Sequence, residues 1–170
     1  MNKEIEEILK YLEQRSDYVI WAGFAQHAHL GLPYSPDVDV YVDSVSALEE
    51  ISQELHNLDW RLEPHQEKTY RWNKLERNDT TFDVVYTDDA SNLLFNDIVV
   101  IDIYGHKLRF ISKEWLFITK LGQLTWPDRT EEKRTRDIEV LQKLRESMDV
   151  EKIKHIASQL PEKYWELGEI

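Results

Sequence analysis

Three aspartates lie in segments that otherwise have the composition of buried β-strands. Asp37 and Asp39 open the sequence DVDVYV, and Asp83 is the only charged residue in residues 80–86. Side chains alternate between the two faces of a strand, so Asp37 and Asp39 project from the same face, about 7 Å apart along the backbone. Crowded carboxylates repel each other and lose hydration, and a folded protein tolerates this mostly when a cation lies between them. Oxygen ligands of this kind suit Mg²⁺.

The residues before this pair predict a strand, a turn and a short helix. Residues 18–21, YVIW, are aromatic or β-branched and indicate a short buried strand. Ala22 and Gly23 break this pattern. A helix is predicted from Phe24 to about Leu30, and Gly31 is expected to end it because glycine accepts the left-handed conformation. The chain then loops back to the strand that carries the first two aspartates.

The order of these features resembles the nucleotidyltransferase fold of DNA polymerase β-like enzymes. The likeness is greatest to their small stand-alone members, the minimal nucleotidyltransferases and the abortive-infection toxins. Their pattern is roughly G-[GS]-x-A, a helix, a loop that often carries Arg and Ser or Thr, and then D-x-D. Residues 22–25 (AGFA), Ser35 and residues 37–39 (DVD) follow this order and spacing. The sequence departs from the pattern at Ala22, where the first Gly is usual, and at Pro33, near the usual position of the loop Arg.

The resemblance implies a fold, a reaction and a site. The implied fold is α+β, a mixed β-sheet flanked by helices with a helical C-terminal portion. The implied reaction moves a nucleoside monophosphate from an NTP to an acceptor hydroxyl and releases pyrophosphate, with two Mg²⁺ ions as cofactors. Asp37 and Asp39 would hold the nucleotide-bound ion and Asp83 would help to hold the second, so these three are the expected catalytic and metal-binding residues. The expected nucleotide-binding residues are Ala22, Gly23, Phe24, Ser35, Lys120, Arg129 and Lys133.

The last third of the sequence supplies the basic residues of this set. Small nucleotidyltransferases commonly follow their core with a helix bearing K-L, then an Arg, then a helix bearing K-D and a later D. Lys120, Arg129 and Lys133 resemble that arrangement, with Asp137 as the later acid and Arg134 where the first Asp is usual. An NTP brings about four negative charges, and Arg or Lys from a neighbouring helix is an ordinary way to hold them. The same residues are equally consistent with surface charge on amphipathic helices.

Two of the strand aspartates have alternative interpretations. Taken alone, Asp83 is also consistent with an edge-strand acid that faces solvent. The presence of Asp37 and Asp39 in the same pattern favours the role of a metal ligand. Asp102 occupies a similar apolar segment, but the sequence after it predicts a hairpin, so Asp102 could pair across strands with Lys107 or Arg109.

The sequence gives little support for a site built on histidine, a Ser-His-Asp set, zinc or cysteine. His27 and His29 lie near the aspartates in sequence and could assist an acceptor, although a helix-surface role is more usual. No Ser-His-Asp set is indicated, and no His pair has the i, i+4 spacing of a zinc helix. The sequence contains no cysteine, which excludes disulfides, thiolate metal sites and Cys nucleophiles.

The charge distribution limits the partners. The net charge is −12, and residues 1–60 carry 12 acidic and only 3 basic side chains. Non-specific nucleic-acid binding depends on neutralising phosphates, so this chain is a poor candidate for it. The acidic half suits metal ions or a cationic substrate. Besides the NTP, the expected acceptor is therefore a small molecule rather than tRNA or a protein. The alternative function is a catalytically inactive module on the same fold that binds nucleotide or a partner.

Length and hydropathy predict one domain. The 170 residues are expected to form a single nucleotidyltransferase-like domain, with a core of about residues 1–111 and a helical portion of about 112–170. No apolar run approaches 18 residues and no signal-peptide region is evident, so the expected location is cytoplasmic, with no membrane association. In the core, residues 70–75 suggest an edge strand. In the helix predicted at residues 130–147, the side chain of Ile138 is expected to face inward beside Leu141.

Overall fold

The computed structural model describes residues 2–34, 36–66, 70–88 and 91–160, which form an α+β arrangement. Their strands are β1 (Tyr18–Trp21), β2 (Asp37–Val42), β3 (Arg61–Gln66), β4 (Tyr70–Arg77), β5 (Thr80–Thr87), β6 (Ile98–Ile103) and β7 (His106–Ile111). Their helices are α1 (Lys3–Glu13), α2 (Ala22–Leu30), α3 (Val45–His56), α4 (Ser91–Phe95), α5 (Lys113–Leu124), α6 (Glu131–Arg145) and α7 (Val150–Gln159). The chain divides into two compact units, residues 1–111 and 112–170. No helix within the described ranges is both long enough and apolar enough to cross a membrane.

The first unit is built on a mixed sheet whose strand order is β3-β4-β5-β2-β1-β7-β6. β2 runs parallel to β5, and β1 runs parallel to β7. The other neighbouring strands are antiparallel. β2, with the first two aspartates, is therefore the central strand of this sheet, and β5 with the third aspartate is hydrogen-bonded beside it.

The two faces of β2 differ in polarity, as its alternating sequence predicts. Its valines at positions 38, 40 and 42 are fully buried, whereas Asp37, Asp39 and Tyr41 are only partly covered. Three helices pack on this sheet: α2 on β1 and β2, α1 on β5 and β7, and α3 on β4 and β5. Packing of the apolar face fixes the register of the strands, because a slip of one residue would bury the aspartates and expose the valines.

The predicted fold class is confirmed, and most helix boundaries follow local capping signals. Gly31 ends α2 in the left-handed conformation with φ +66°. Ser44, Ser112 and Thr130 each accept a backbone N–H in the first turn of α3, α5 and α6. Such caps satisfy donors that a helix start otherwise leaves unpaired.

Two expectations from the sequence were wrong. The segment predicted as an edge strand is β4, which lies between β3 and β5. Its buried Asn73 donates to Ser52 Oγ at 2.8 Å, so a polar side chain inside the sheet is satisfied. The edge strand on this side of the sheet is β3, where Pro64 is tolerated because an edge strand needs no complete ladder. In α6, the side chain of Ile138 is 47% exposed, and Val140 is buried instead.

The helices of the second unit pack on one another. α5 packs on both α6 and α7. The buried apolar side chains of these helices include Leu116, Phe117, Val140, Leu144, Ile153 and Ile156.

Candidate active site

The strand register places the three aspartates on one face of the sheet. Asp39 in β2 is the direct partner of Asp83 in β5, and Asp37 is the partner of Thr81. Register partners in a parallel pair project from the same face, with the strands about 4.8 Å apart, and Asp37 shares the face of Asp39 because it lies two residues earlier. The main-chain N–H of Thr81 also donates to the carbonyl oxygen of Pro36 at 3.3 Å, which aligns the start of β2 with β5.

Asp83 lies in an environment that is unfavourable for a negative charge. Burial raises the pKa of its carboxyl group above the ordinary value, and the nearby charge of Asp37 acts in the same direction. A hydrogen bond from the indole N–H of Trp72 to Asp83 Oδ1, 2.9 Å long, opposes this shift. A carboxylate that is desolvated and close to a like charge gains from a cation, which relieves both penalties.

Strand β4 surrounds Asp83 with residues that sequence reasoning did not identify. Lys74 is the direct register partner of Asp83, and Trp72 lies opposite Val85 on the same face. The Trp72 ring is stacked on His65 of β3, with ring centroids 4.5 Å apart. These residues lie near Asp83 because β4 pairs with β5, and no local motif in the sequence predicts that pairing.

The turn between β1 and α2 lies beside the aspartates. Trp21, the last residue of β1, is the register partner of Asp39. Ala22 follows with φ +52°, a left-handed conformation that costs an L-residue other than glycine about 1–2 kcal/mol. The side chain of the N-cap residue, Trp21, makes no capping hydrogen bond at the start of α2. Of the expected nucleotide-binding residues here, Gly23 is partly exposed, whereas Ala22 and Phe24 are buried.

The loop after α2 contains two positions of the family pattern, Pro33 and Ser35. Pro33, near the usual position of the loop Arg, is exposed. Ser35, predicted to bind nucleotide, lies outside the described residues.

The basic residues predicted to bind nucleotide lie in the second unit. Lys120 Nζ donates to Asp137 Oδ1 at 2.8 Å, and Arg129 Nε donates to Asp137 Oδ2 at 2.7 Å. Asp137 is only 1% exposed. Lys133 is exposed on α6. Arg134, where the family pattern usually has an Asp, donates to main-chain carbonyl oxygens, including that of Arg129 at 3.1 Å.

The two histidines of α2 are held by main-chain carbonyl groups and, in the case of His27, also by a tyrosine hydroxyl group. His27 Nδ1 is 2.7 Å from the carbonyl oxygen of Leu32, and its Nε2 is 2.7 Å from the hydroxyl of Tyr104. His29 Nε2 is 2.7 Å from the carbonyl oxygen of Ile111. These contacts tie α2 to the loop after it and to β7, which favours the structural interpretation of both residues.

Asp102, the fourth aspartate in an apolar strand segment, lies apart from the three aspartates of the candidate site. Asp102 is exposed on β6, an edge of the sheet, directly opposite Lys107. Tyr104 and Gly105 join the two strands with φ +56° and +82°, as a tight hairpin turn requires.

The aspartates fit Mg²⁺ by donor chemistry and by their common face. Mg²⁺ is usually held by one or a few carboxylates together with substrate phosphates and waters, rather than by a complete protein cage. Across the described parts of the chain, no three His, Asp or Glu side chains are gathered around one point as a ready metal cluster. The site therefore offers carboxylates on adjacent strands and leaves other ligand positions to a substrate.

Comparison with known proteins identifies the fold. No family model and no curated protein sequence matches the chain. Among solved structures, ANT(2″)-Ia in complex with adenylyl-2″-tobramycin is similar, with a TM-score of 0.62, 20% identity, and coverage of 90% of this chain and 92% of that one. An antigenic nucleotidyltransferase-like protein from Paracoccidioides brasiliensis has a TM-score of 0.53 and 20% identity, over 84% and 76% of the two chains.

A third similar structure is the Megavirus polyadenylate synthase. It has a TM-score of 0.58 and 16% identity, over 85% of this chain but only 31% of its own length. These likenesses show that the chain has the nucleotidyltransferase fold, as the order of its sequence features predicted.

Proposed function

We propose that this protein is a metal-dependent nucleotidyltransferase that moves a nucleoside monophosphate from an NTP to an acceptor hydroxyl and releases pyrophosphate. The observation that carries the proposal is the position of three aspartates on one face of β2 and β5, with Asp39 directly opposite Asp83. Their position on a nucleotidyltransferase fold supports it further. The reaction transfers the α-phosphoryl group: the acceptor oxygen bonds to the α-phosphorus, and the bond to the bridging oxygen of pyrophosphate breaks.

Each aspartate has a distinct role in this proposal. Asp37 and Asp39, from one strand, would hold the Mg²⁺ that arrives with the nucleotide, and Asp83 would help to hold a second ion. Bound Mg²⁺ neutralises phosphate charge and lowers the pKa of a hydroxyl group that it binds. The carboxylates also orient the reacting groups, because rigid adjacent strands hold them in fixed register.

The turn at the start of α2 would bind the phosphates. Main-chain N–H groups at the start of a helix bind anions, and the N-cap residue of α2, Trp21, does not cap these groups with its side chain. Gly23, partly exposed, allows close approach of a phosphate to the backbone. Lys120, Arg129, Lys133 and Ser35 remain predicted nucleotide contacts on the sequence resemblance alone.

The proposed acceptor is a small molecule, ideally a cationic one. The excess of acidic residues in the first 60 positions supports this choice and disfavours tRNA. The structure of ANT(2″)-Ia holds an adenylylated small molecule, adenylyl-2″-tobramycin, on the same fold. A cytoplasmic location is part of this proposal, since NTPs and Mg²⁺ are supplied there.

Transfer of label tests the proposal. The protein is incubated with Mg²⁺, each of the four NTPs labelled at the α-phosphate, and a cell extract that supplies acceptors. We expect label on an acceptor with the wild type and with Asp102→Asn, whose carboxylate lies on an edge strand. We expect no label with Asp39→Asn.

Two results would count against the enzyme. Equal labelling by wild type and Asp39→Asn would show that the aspartates are not the catalytic site. Nucleotide binding without transfer from any NTP would favour the inactive binding module. A thermal-shift comparison of the four NTPs, made first, identifies the preferred base.

A further inference from the structure

Asp83 has a potential internal cation that does not bind it. Lys74 is its register partner on β4, so the two Cβ atoms lie about 5 Å apart and an ion pair between the side chains is sterically simple. The Lys74 ammonium instead forms its ion pair with Glu76, two residues further along the same strand. Among the described residues, the hydrogen-bond donor to Asp83 is the neutral indole N–H of Trp72, and Lys74 acts on Asp83 through its charge alone, which lowers the pKa of the carboxyl group.

A second cation, Arg61, also binds Glu76 and helps to fix the carboxylate that pairs with Lys74. Arg61 of β3, the register partner of Glu76, forms a second ion pair with it. The pKa of Glu76 is lowered by its contacts with Lys74 and Arg61, so this carboxylate stays ionised. Glu63, which lies opposite Lys74 on β3, is the remaining carboxylate near the lysine, and its Oε1 lies 3.4 Å from His65 Nε2.

This arrangement has a consequence for cation binding. A lysine bound to Asp83 would occupy a metal-ligand oxygen and neutralise the charge that attracts Mg²⁺. With Lys74 on Glu76 and Trp72 on Oδ1, the second oxygen of Asp83 accepts no hydrogen bond from the described residues. One oxygen is therefore oriented, and the other remains available to a cation.

We propose that Glu76 is a positioning residue that holds Lys74 away from Asp83, so that Asp83 remains a cation ligand. This inference rests on the proposed function, because it assigns Asp83 the metal-binding role. The ion pair is partly exposed, with 31% of the Lys74 side chain and 25% of the Glu76 side chain accessible. Exposed pairs contribute little to stability, so the effect of Glu76 is expected in cation binding rather than in folding.

A set of four proteins separates this role from a merely structural one. The wild type, Glu76→Gln, Lys74→Met and the double variant are titrated with Mg²⁺ at a fixed concentration of the NTP that gives the largest thermal shift. In Glu76→Gln, Lys74 is released toward Asp83. The Mg²⁺ concentration for half-saturation should then rise about threefold to fivefold, the upper part of the range for exposed ion pairs. Lys74→Met should leave it unchanged or lower it.

The double variant is the decisive member of the set. Removing Lys74 removes the competing cation, so the double variant should bind Mg²⁺ like Lys74→Met even though Glu76 is absent. A structural role of Glu76 would leave its defect in place in the double variant. In an Asp83→Asn background, Glu76→Gln should have no further effect, because the aspartate through which it acts is gone.

The outcomes also separate this inference from the proposed function. If the wild type binds NTP with Mg²⁺ but Glu76→Gln has the wild-type half-saturation, the inference is wrong and the proposed function stands. The same holds if the double variant keeps the defect, or if the defect persists without Asp83. If the wild type shows no Mg²⁺-dependent NTP binding, both are overturned.

Discussion

Two buried or partly buried carboxylates in this protein, Asp137 and Asp83, differ in the charge of the groups that bind them. In the second unit, Asp137 is 1% exposed, and two cations, Lys120 and Arg129, donate to its two oxygens. In the first unit, Asp83 accepts a neutral indole N–H and lies near another aspartate, and burial raises its pKa. A carboxylate neutralised by the protein holds the fold together, whereas one that the protein leaves charged is suited to bind a cation from solution.

The sharpest test of this contrast is Asp137→Asn. The substitution removes the carboxylate that the buried Lys120 and the partly buried Arg129 share, and breaking a buried pair in this way costs about 3–5 kcal/mol. Urea denaturation should show a loss of this size, and Glu139→Gln, an exposed change on the same helix, should cost less than about 0.5 kcal/mol. A loss below about 1 kcal/mol in Asp137→Asn would remove one side of the comparison.

Asp83→Asn should have the opposite effect on the protein without ligands. An asparagine can still accept the Trp72 N–H, and it carries no charge to desolvate. Because the pKa of Asp83 is raised on folding, ionisation penalises the folded state at all pH values above that pKa. The variant should therefore unfold at a temperature about 2 °C higher than the wild type at pH 7.

The pH dependence identifies the cause of this gain. As the pH falls from above the raised folded-state pKa toward the ordinary Asp value of 3.8, the wild-type carboxyl becomes protonated first in the folded state and then in the unfolded state, so the charge-dependent stability difference between the two proteins should shrink steadily. Thermal denaturation between pH 3.5 and pH 7 measures it, where conditions keep both proteins soluble. A variant that is less stable than the wild type at pH 7 would assign Asp83 to the fold rather than to a ligand.

Backbone strain extends the comparison between the two units. Within the described residues, all non-glycine positions with positive φ lie in the first unit, and one of them, Ala22, adjoins the site. Strain at such a turn is retained when function requires the geometry. Ala22→Gly should relieve about 1–2 kcal/mol of strain and lose part of this gain to the greater chain entropy of glycine, for a net stabilisation of about 0.5 kcal/mol.

A matched substitution in the same helix gives the control for this small effect. Ala28 is a partly exposed residue inside α2, where glycine should cost about 1 kcal/mol. The two variants should therefore change stability in opposite directions in urea denaturation. If both destabilise the protein equally, the left-handed conformation at Ala22 carries no strain.

The sequence predicted the features that depend on local patterns. The alternation in residues 37–42 and the apolar run before Ala22 identified the central strands, and Gly31 marked the end of α2. The motif order also identified the fold. These predictions were possible because the alternation of valines in β2 indicates one buried face, independently of which strands pair with β2.

The sequence failed where the answer depends on distant partners. β4 was predicted to be an edge strand because neither its pairing with β3 nor the partner of its buried Asn73, Ser52 on α3, is visible in the local sequence. Lys74 and Trp72 carried no motif, and their relation to Asp83 comes from the pairing of β4 with β5. Lys120 and Arg129 were predicted to bind nucleotide, and the structure adds a buried partner, Asp137, that composition alone does not reveal.

The most direct test of the account is calorimetric titration of Mg²⁺ and the preferred NTP into wild type, Asp37→Asn/Asp39→Asn and Asp102→Asn. The account predicts that binding depends on Mg²⁺, is lost or weakened at least about a hundredfold in the double variant, and is unchanged in Asp102→Asn, with all three proteins folded. Equal NTP affinity in the wild type and the double variant would contradict it.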